Sequence, residues 1–241
     1  MPSAPPTAKP RAVLLAGGSG TRLLPLTATT NKHLLPLGGR AVIDWPVDRL
    51  VEAGFDDIAV VSNPGDLAPL AAHLAARPAR FTFLPQERPA GIAHALGVAR
   101  EWAAGAPVLV LLGDNVFDAP LAPHVAAWRA GGKAAQVHLA AVEDPARFGV
   151  ARLDGDRLVA IEEKPAAPPS RWAVTGVYLY EPGVFARIAA LAPSPRGEIE
   201  ITDLNAGYLA EGALAHRMLD GTWLDVGTPE AYTTARARFG A

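Results

Sequence analysis

The feature that most constrains the fold is an alternation in the first half of the chain. Residues 11–16, 58–61, 81–84 and 108–112 are short apolar runs, and residues 42–53, 67–76 and 92–104 between them carry apolar side chains at helical spacing. Strands without polar alternation are buried on both faces, which predicts an α/β fold: a Rossmann-like, mixed and mostly parallel sheet flanked by helices. Pro46 is tolerated near the start of its helix, and Gly54 is a natural stop.

After about residue 133 the texture changes. Residues 137–142, 150–153, 158–163 and 174–180 are strand-like and follow one another closely, as strands inserted or paired at one side of the sheet would. Residues 184–191 and 201–211 read as helices, 214–219 as a last strand and 229–239 as a last helix. The predicted organisation is a flexible tail over residues 1–10, rich in proline, and one domain over 11–241. Its halves divide at 11–132 and 133–241.

Bulk composition excludes several classes. Half of the 241 residues are hydrophobic and the formal net charge is −2, so neither nucleic acid nor an anionic membrane is an expected partner. No apolar run is long enough to span a bilayer. There is no cysteine, hence no disulfide framework or thiolate site. Together with the absence of an apolar leader, this fits a cytoplasmic protein. The six histidines show no zinc-binding spacing, and His73 and His124 read as ordinary surface or helix residues.

The first strand runs into Leu15-Ala16-Gly17-Gly18-Ser19-Gly20-Thr21-Arg22-Leu23. Glycines at such a turn let backbone N–H groups approach and cradle a phosphate. The loop is neither a Walker loop, which Arg22-Leu23 interrupts, nor a dinucleotide fingerprint, which Leu23 breaks. On glycines alone, a tight turn with no ligand is an equally simple explanation.

Further motifs narrow the choice. Gly17 to Leu23 are followed by Lys32-His33-Leu34-Leu35-Pro36, Gly113-Asp114-Asn115-Val116-Phe117, Glu162-Glu163-Lys164-Pro165 and Val174-Thr175-Gly176. Arg196-Gly197-Glu198-Ile199-Glu200-Ile201-Thr202-Asp203 and Trp223-Leu224-Asp225-Val226-Gly227-Thr228 complete the order. This series resembles the sugar-1-phosphate nucleotidyltransferases, most of all the glucose-1-phosphate thymidylyltransferase branch, over residues 11 to about 232.

The resemblance implies an in-line displacement. A sugar 1-phosphate attacks the α-phosphorus of a pyrimidine nucleoside triphosphate, dTTP or UTP, and pyrophosphate leaves. It implies Arg22 on the leaving pyrophosphate, Lys32 near the α-phosphate, and Asp114 and Asp225 as carboxylate ligands of Mg²⁺. Leu15, Gly17, Gly18, Gly20 and Thr21 would contact nucleotide, and Gln86 and Gly91 would read the base. Glu163 would bind sugar hydroxyls, Lys164 and Arg196 the sugar phosphate, and Gly149 and Val174 would line the sugar site by backbone.

Three departures bear on specificity: Phe148 where tyrosine is common, and His94 and His33 where glutamine is frequent. A relative acting on an amino-sugar 1-phosphate or phosphocholine is an alternative substrate reading. A catalytically inactive regulatory subunit is disfavoured because Arg22, Lys32, Asp114 and Asp225 are all present. Sixteen residues follow Asp225, enough for one helix. The expectation is therefore a monomer or homodimer without a remote regulatory site.

Overall fold

A computed structural model describes residues 9–240, so the tail expected over 1–10 falls, up to residue 8, outside the described residues. The first half contains β1 (Arg11–Leu15), β2 (Pro36–Leu37), β3 (Arg40–Ala41), α1 (Asp44–Glu52), β4 (Asp57–Ser62), α2 (Leu67–Leu74) and β5 (Arg80–Pro85). It continues with α3 (Ile92–Val98), α4 (Arg100–Ala103), β6 (Val108–Leu112), β7 (Asn115–Phe117) and α5 (Ala122–Gly131). The second half contains β8 (Ala135–Ala141), β9 (Gly149–Asp154), β10 (Arg157–Glu163), β11 (Trp172–Tyr180), α6 (Val184–Ala190) and α7 (Ile201–Ala210). It closes with β12 (Leu214–Met218), β13 (Trp223–Asp225) and α8 (Pro229–Phe239).

Strands β5, β4, β1 and β6 lie side by side and parallel, as their unbroken apolar runs predict. Alternate residues of these strands enter two separate cores. Val13, Val61, Val108 and Val110 face α3, α6 and α7, whereas Leu14, Ile58, Leu109 and Leu111 face α1, α2 and α5. The sheet is thus covered on both faces, and its polar openings are confined to strand ends.

The second half joins the same sheet through β11, which runs antiparallel to β6. One edge of β11 is occupied along its length by β8, which in turn pairs with β12. Its other edge is shared: Val177–Tyr180 pair with β6, and Trp172–Ala173 pair with β9 of the β9–β10 hairpin. Between these pairings β6 and β9 part company. The gap lies where the parallel strands end, the position at which open α/β sheets bind ligands.

A third, smaller core lies under α8. Leu23, Leu35, Val116, Val226 and Tyr232 pack there, and all but Tyr232 lie within three residues of Arg22, Lys32, Asp114 or Asp225. Thr228 caps α8 by accepting from the Ala231 N–H (3.3 Å), with Pro229 in the first turn.

Several expectations are corrected. The helix read over 92–104 is two pieces, α3 and α4, with Ala104 left-handed after the second. The α5 helix was not foreseen, and His124 on it is buried against His138 (ring centroids 4.8 Å) rather than at the surface. His73 does sit on a helix, where its Nε2 lies 3.0 Å from the buried Asp44 carboxylate. Among the described residues no helix is long and apolar enough to cross a membrane.

At Gly176, β11 leaves no room for a side chain against the end of β6 and Asn115. A Cβ there would lie 2.6 Å from Leu112 Cγ and 2.5 Å from Asn115 Oδ1. Gly176→Ala is expected to cost about 1–3 kcal/mol by overpacking. Urea unfolding should show it as a lower midpoint with an unchanged slope; an unchanged midpoint would mean the strands separate freely here.

Candidate active site

The loop after β1 starts from a fixed point. Ala16 N–H donates to Val61 O and Gly113 N–H donates to Leu15 O (2.8 Å each), while Ser62 Oγ donates to Ala16 O (2.7 Å). The chain therefore leaves the sheet beside the ends of β4 and β6. Gly18 (φ 100°) and Gly20 (φ 63°) take left-handed conformations that make the turn. Lys32 lies over Gly18, whose Cβ would stand 3.6 Å from Lys32 Nζ. Arg22 is exposed on a single 3₁₀ turn, Thr21–Leu23, anchored by the buried Leu23. Its Nη2 is 3.3 Å from where a Gly227 Cβ would be, beside Asp225.

Lys32 opens a second 3₁₀ turn, Lys32–Leu34, capped by Asn31, whose Oδ1 accepts from the His33 N–H (2.8 Å). Lys32 Nζ is hydrogen-bonded and ion-paired to Asp114 Oδ2, both side chains largely buried. His33 is fully buried beneath them. Burial first, then the Lys32 charge, push its pKa down to about 3, so it is neutral.

Asp114 and Asp225 come together through a short ladder. β7 reverses the chain after β6 and pairs antiparallel with β13, which sets Asp225 opposite Asn115. Val226 N–H donates to Asp114 O (2.8 Å). Burial works to raise the Asp114 carboxyl pKa, but the Lys32 charge and hydrogen bonds from Lys32 and Asn115 hold it low. Burial, then the Asp114 charge, raise that of Asp225 against the opposing pull of Lys32, Arg22 and Arg147.

At the far end, Glu163 closes β10 opposite Gly149. Lys164 follows with left-handed φ (41°), its N–H donating to Phe148 O (3.0 Å). Lys164 Nζ and Arg196 Nη1 both lie 3.2 Å from Glu163 Oε1, and Thr202 Oγ1 donates to Glu163 Oε2. Arg196 Nη2 also donates to Glu198 (2.8 Å). Phe148 packs edge-on to Trp223 (5.3 Å), so an aromatic wall takes the place of a tyrosine hydroxyl.

These groups enclose one cavity of about 530 Å³. Of the residues expected from sequence, Leu15, Gly17, Gly18, Arg22, Lys32, Gln86, Gly91, Asp114, Gly149, Glu163, Lys164, Val174, Arg196 and Asp225 line it. Gly20 and Thr21 do not. Gly20 packs against Thr27, whose Oγ1 donates to Gly20 O (2.7 Å), and Thr21 begins the turn that carries Arg22. Asn115, Arg147, Thr202 and Trp223 also line the cavity and were given no role from sequence. Asn115, Thr202 and Trp223 stand inside the quoted motifs, so the signal was present. Arg147 has no such signal, because its place near Asp225 is set only when the 3₁₀ turn Pro145–Arg147 reaches Thr228, the cap of α8 (Arg147 Nη1 to Thr228 Oγ1, 3.5 Å).

Such an arrangement brings cations to phosphates and carries two acids near them, as a phosphoryl or nucleotidyl transfer requires. Comparison with known proteins agrees. Residues 11–240 match the nucleotidyl transferase family. The chain is 40% identical to a glucose-1-phosphate thymidylyltransferase of Actinoplanes sp. over 90% of its own length and 74% of the relative's. Against the enzyme of that name from Xanthomonas campestris the identity is 39%, over 92% and 77%. A crystal structure from Bacillus anthracis, described as a glucose-1-phosphate thymidylyltransferase in complex with sucrose, superposes with a TM-score of 0.91 at 39% identity, covering 95% of both chains. A UDP-glucose pyrophosphorylase complexed with UDP-glucose has the same fold (TM-score 0.84, 24% identity). With the family matched over nearly its whole length, the chain belongs to the nucleotidyl transferases and is a nucleotidyltransferase enzyme.

Proposed function

We propose that this enzyme transfers a nucleotidyl group from a pyrimidine nucleoside triphosphate to a sugar 1-phosphate, releasing pyrophosphate. dTTP is the nucleotide best supported, with UTP next, and glucose 1-phosphate is the acceptor, as in the relatives' names. The observation that carries this reading is the continuity of one cavity. It joins a glycine loop and a Lys32–Asp114 pair at one end to a Glu163–Lys164–Arg196 cluster at the other.

An oxygen of the sugar phosphate attacks the α-phosphorus; that P–O bond forms as the bond to pyrophosphate breaks. No covalent enzyme intermediate is needed, so positioning and charge stabilisation supply the catalysis. Gly17 and Gly18 bring backbone to the triphosphate beside Leu15, while Gly20 and Thr21 shape the loop. Gln86 and Gly91 face the base. Lys32 takes the α-phosphate, and Arg22 offers a planar fork to the departing pyrophosphate. Lys164 and Arg196 hold the sugar phosphate, Glu163 accepts from sugar hydroxyls, and Gly149 and Val174 border the ring.

The donor set fits a magnesium ion. Asp114 is buried and Asp225 half-buried, and after desolvation it is the Asp114 charge that raises the Asp225 pKa, a repulsion that a dication relieves. Among the described residues no three His, Cys, Asp or Glu side chains cluster as a closed metal site, so the remaining ligands would be phosphate oxygens and water. When bound, the ion withdraws charge from the phosphate oxygens.

A pyrophosphate-release screen of four nucleotides against several sugar 1-phosphates tests the substrate assignment. Turnover is expected with dTTP and UTP on glucose 1-phosphate; a clear preference for ATP or GTP would sink the base assignment. Arg22→Ala should lower kcat by about 10²–10³-fold, the scale for one preorganised charge-stabilising donor. An effect confined to KM would show that Arg22 binds substrate and transition state equally. Asp114→Asn and Asp225→Asn should each remove most Mg²⁺-dependent activity while the circular dichroism spectrum is kept. Full turnover of either variant would exclude its carboxylate from the assigned role.

A further inference from the structure

The orientation of the Gln86 amide is dictated by its neighbours. Gln86 is buried and follows β5, its N–H donating to Ser62 O (2.8 Å). Its side-chain Nε2 lies 2.9 Å from His94 Nδ1 and 3.4 Å from Gly91 O. A backbone carbonyl only accepts, so turning the amide over would set oxygen against oxygen at Gly91. It would also set the amide oxygen against the Nδ1 lone pair of an imidazole protonated at Nε2. Both amide hydrogens are therefore used inside the protein. Burial first, and then the positive charge of Arg88, lower the His94 pKa and favour the neutral ring. With the amide nitrogen held on this side by Gly91 O, the Nδ1 that faces it is the bare one and the ring proton sits on Nε2.

The carbonyl oxygen is left for a ligand. Gln86 Oε1 stands beside Gly17 at the cavity wall, 3.2 Å from where a Gly17 Cβ would be. No hydrogen bond to it is made among the described residues. The side chain thus presents an acceptor alone.

We propose that His94 is a positioning residue that sets the polarity of the base reader. By holding the Gln86 amide nitrogen, it turns the carbonyl oxygen to the cavity and selects bases that carry an N–H at the centre of their pairing edge. This rests on the reading that Gln86 faces the base. Thymine and uracil have such an imide N–H, which donates to Oε1. Cytosine has a bare ring nitrogen there, and two acceptors then meet with no proton between them. A size-matched pyrimidine is rejected through hydrogen-bond direction alone. The selection is of thymine and uracil together against cytosine; the methyl group of thymine plays no part in it.

The test compares kcat/KM for dTTP and dCTP, with glucose 1-phosphate as acceptor, in wild type, His94→Leu, His94→Ala, His94→Gln and Gln86→Leu. In His94→Leu the amide loses its nearer acceptor and keeps only the 3.4 Å contact to Gly91 O, so it turns more readily and the dTTP-to-dCTP ratio should fall about tenfold or more. His94→Ala should show the same fall and decides the matter if the leucine fails to pack. His94→Gln, whose own carbonyl can accept in place of Nδ1, should restore the ratio to within about threefold of wild type. The KM for glucose 1-phosphate should stay within about twofold in each His94 variant, as a general loss of structure would not allow. An unchanged ratio in folded His94→Leu or His94→Ala overturns the proposal. Gln86→Leu separates this from failure of the underlying reading. If it abolishes discrimination while the His94 variants keep it, Gln86 reads the base and His94 does not orient it. If Gln86→Leu itself keeps discrimination, the base reading falls, and the His94 assignment with it.

Discussion

Two carboxylates set together, one buried and one half-buried, repel each other, and much of the site consists of what makes Asp114 and Asp225 tolerable together. Lys32 is ion-paired to the first, and the charges of Lys32, Arg22 and Arg147 act on the second. Asn115 is the geometric counterpart of these charges. It is fully buried; its Oδ1 accepts from Gly176 N–H (2.9 Å) and Trp223 Nε1–H (2.8 Å), and its Nδ2 donates to Asp114 Oδ1 (3.1 Å). One amide thus fastens β7, β11 and β13 around the acids. Burial of such a constellation is poor value for stability, since desolvation offsets the attraction between charges. Its persistence next to a cavity marks it as the place where a ligand completes the charge balance.

The small core under α8 explains why distant segments of sequence meet there. Leu23 and Val226 are buried in it, one position from Arg22 and Asp225 respectively, and Leu35 and Val116 enter it from the turns that carry Lys32 and Asp114. Packing of these apolar neighbours fixes the backbone from which the polar side chains project. The 3₁₀ turns also let functional residues sit on stretches too short to pack by themselves.

What the sequence disclosed follows the same physics. The parallel strands were legible because burial on both faces leaves an unbroken apolar run, as in Val108–Leu112. The α5 helix was not, because Ala-Pro-His-Val-Ala-Ala-Trp-Arg-Ala-Gly has little apolar periodicity; its buried face is His124 and Trp128. β7 and β13 are three residues each, too short for any period, and exist because they pair with each other. At the site, the glycine loop and the acids were legible as motifs. The orienting partners were not: His94 acquires meaning only when α3 lays it against Gln86, and Arg147 only when α8 brings Thr228 and Asp225 within reach of its charge.

The far end of the cavity holds its charges in another way. Lys164, Arg196 and Thr202 all engage Glu163, and Arg196 is further held by Glu198 and lies 3.7 Å from Glu200. On the proposed reading, a sugar phosphate must take Lys164 and Arg196 away from that carboxylate. Doing so exchanges one anionic partner for another, which spares the cations a period of desolvation without a counter-charge. It also frees Glu163, whose oxygens then need new donors, and sugar hydroxyls on the same ligand supply them. A sugar lacking phosphate meets a glutamate already satisfied, and a phosphate lacking the sugar leaves the glutamate with Thr202 alone. Recognition of the two halves of the substrate is therefore linked through one side chain, so the cluster discriminates against either fragment more than separate phosphate and hydroxyl pockets would.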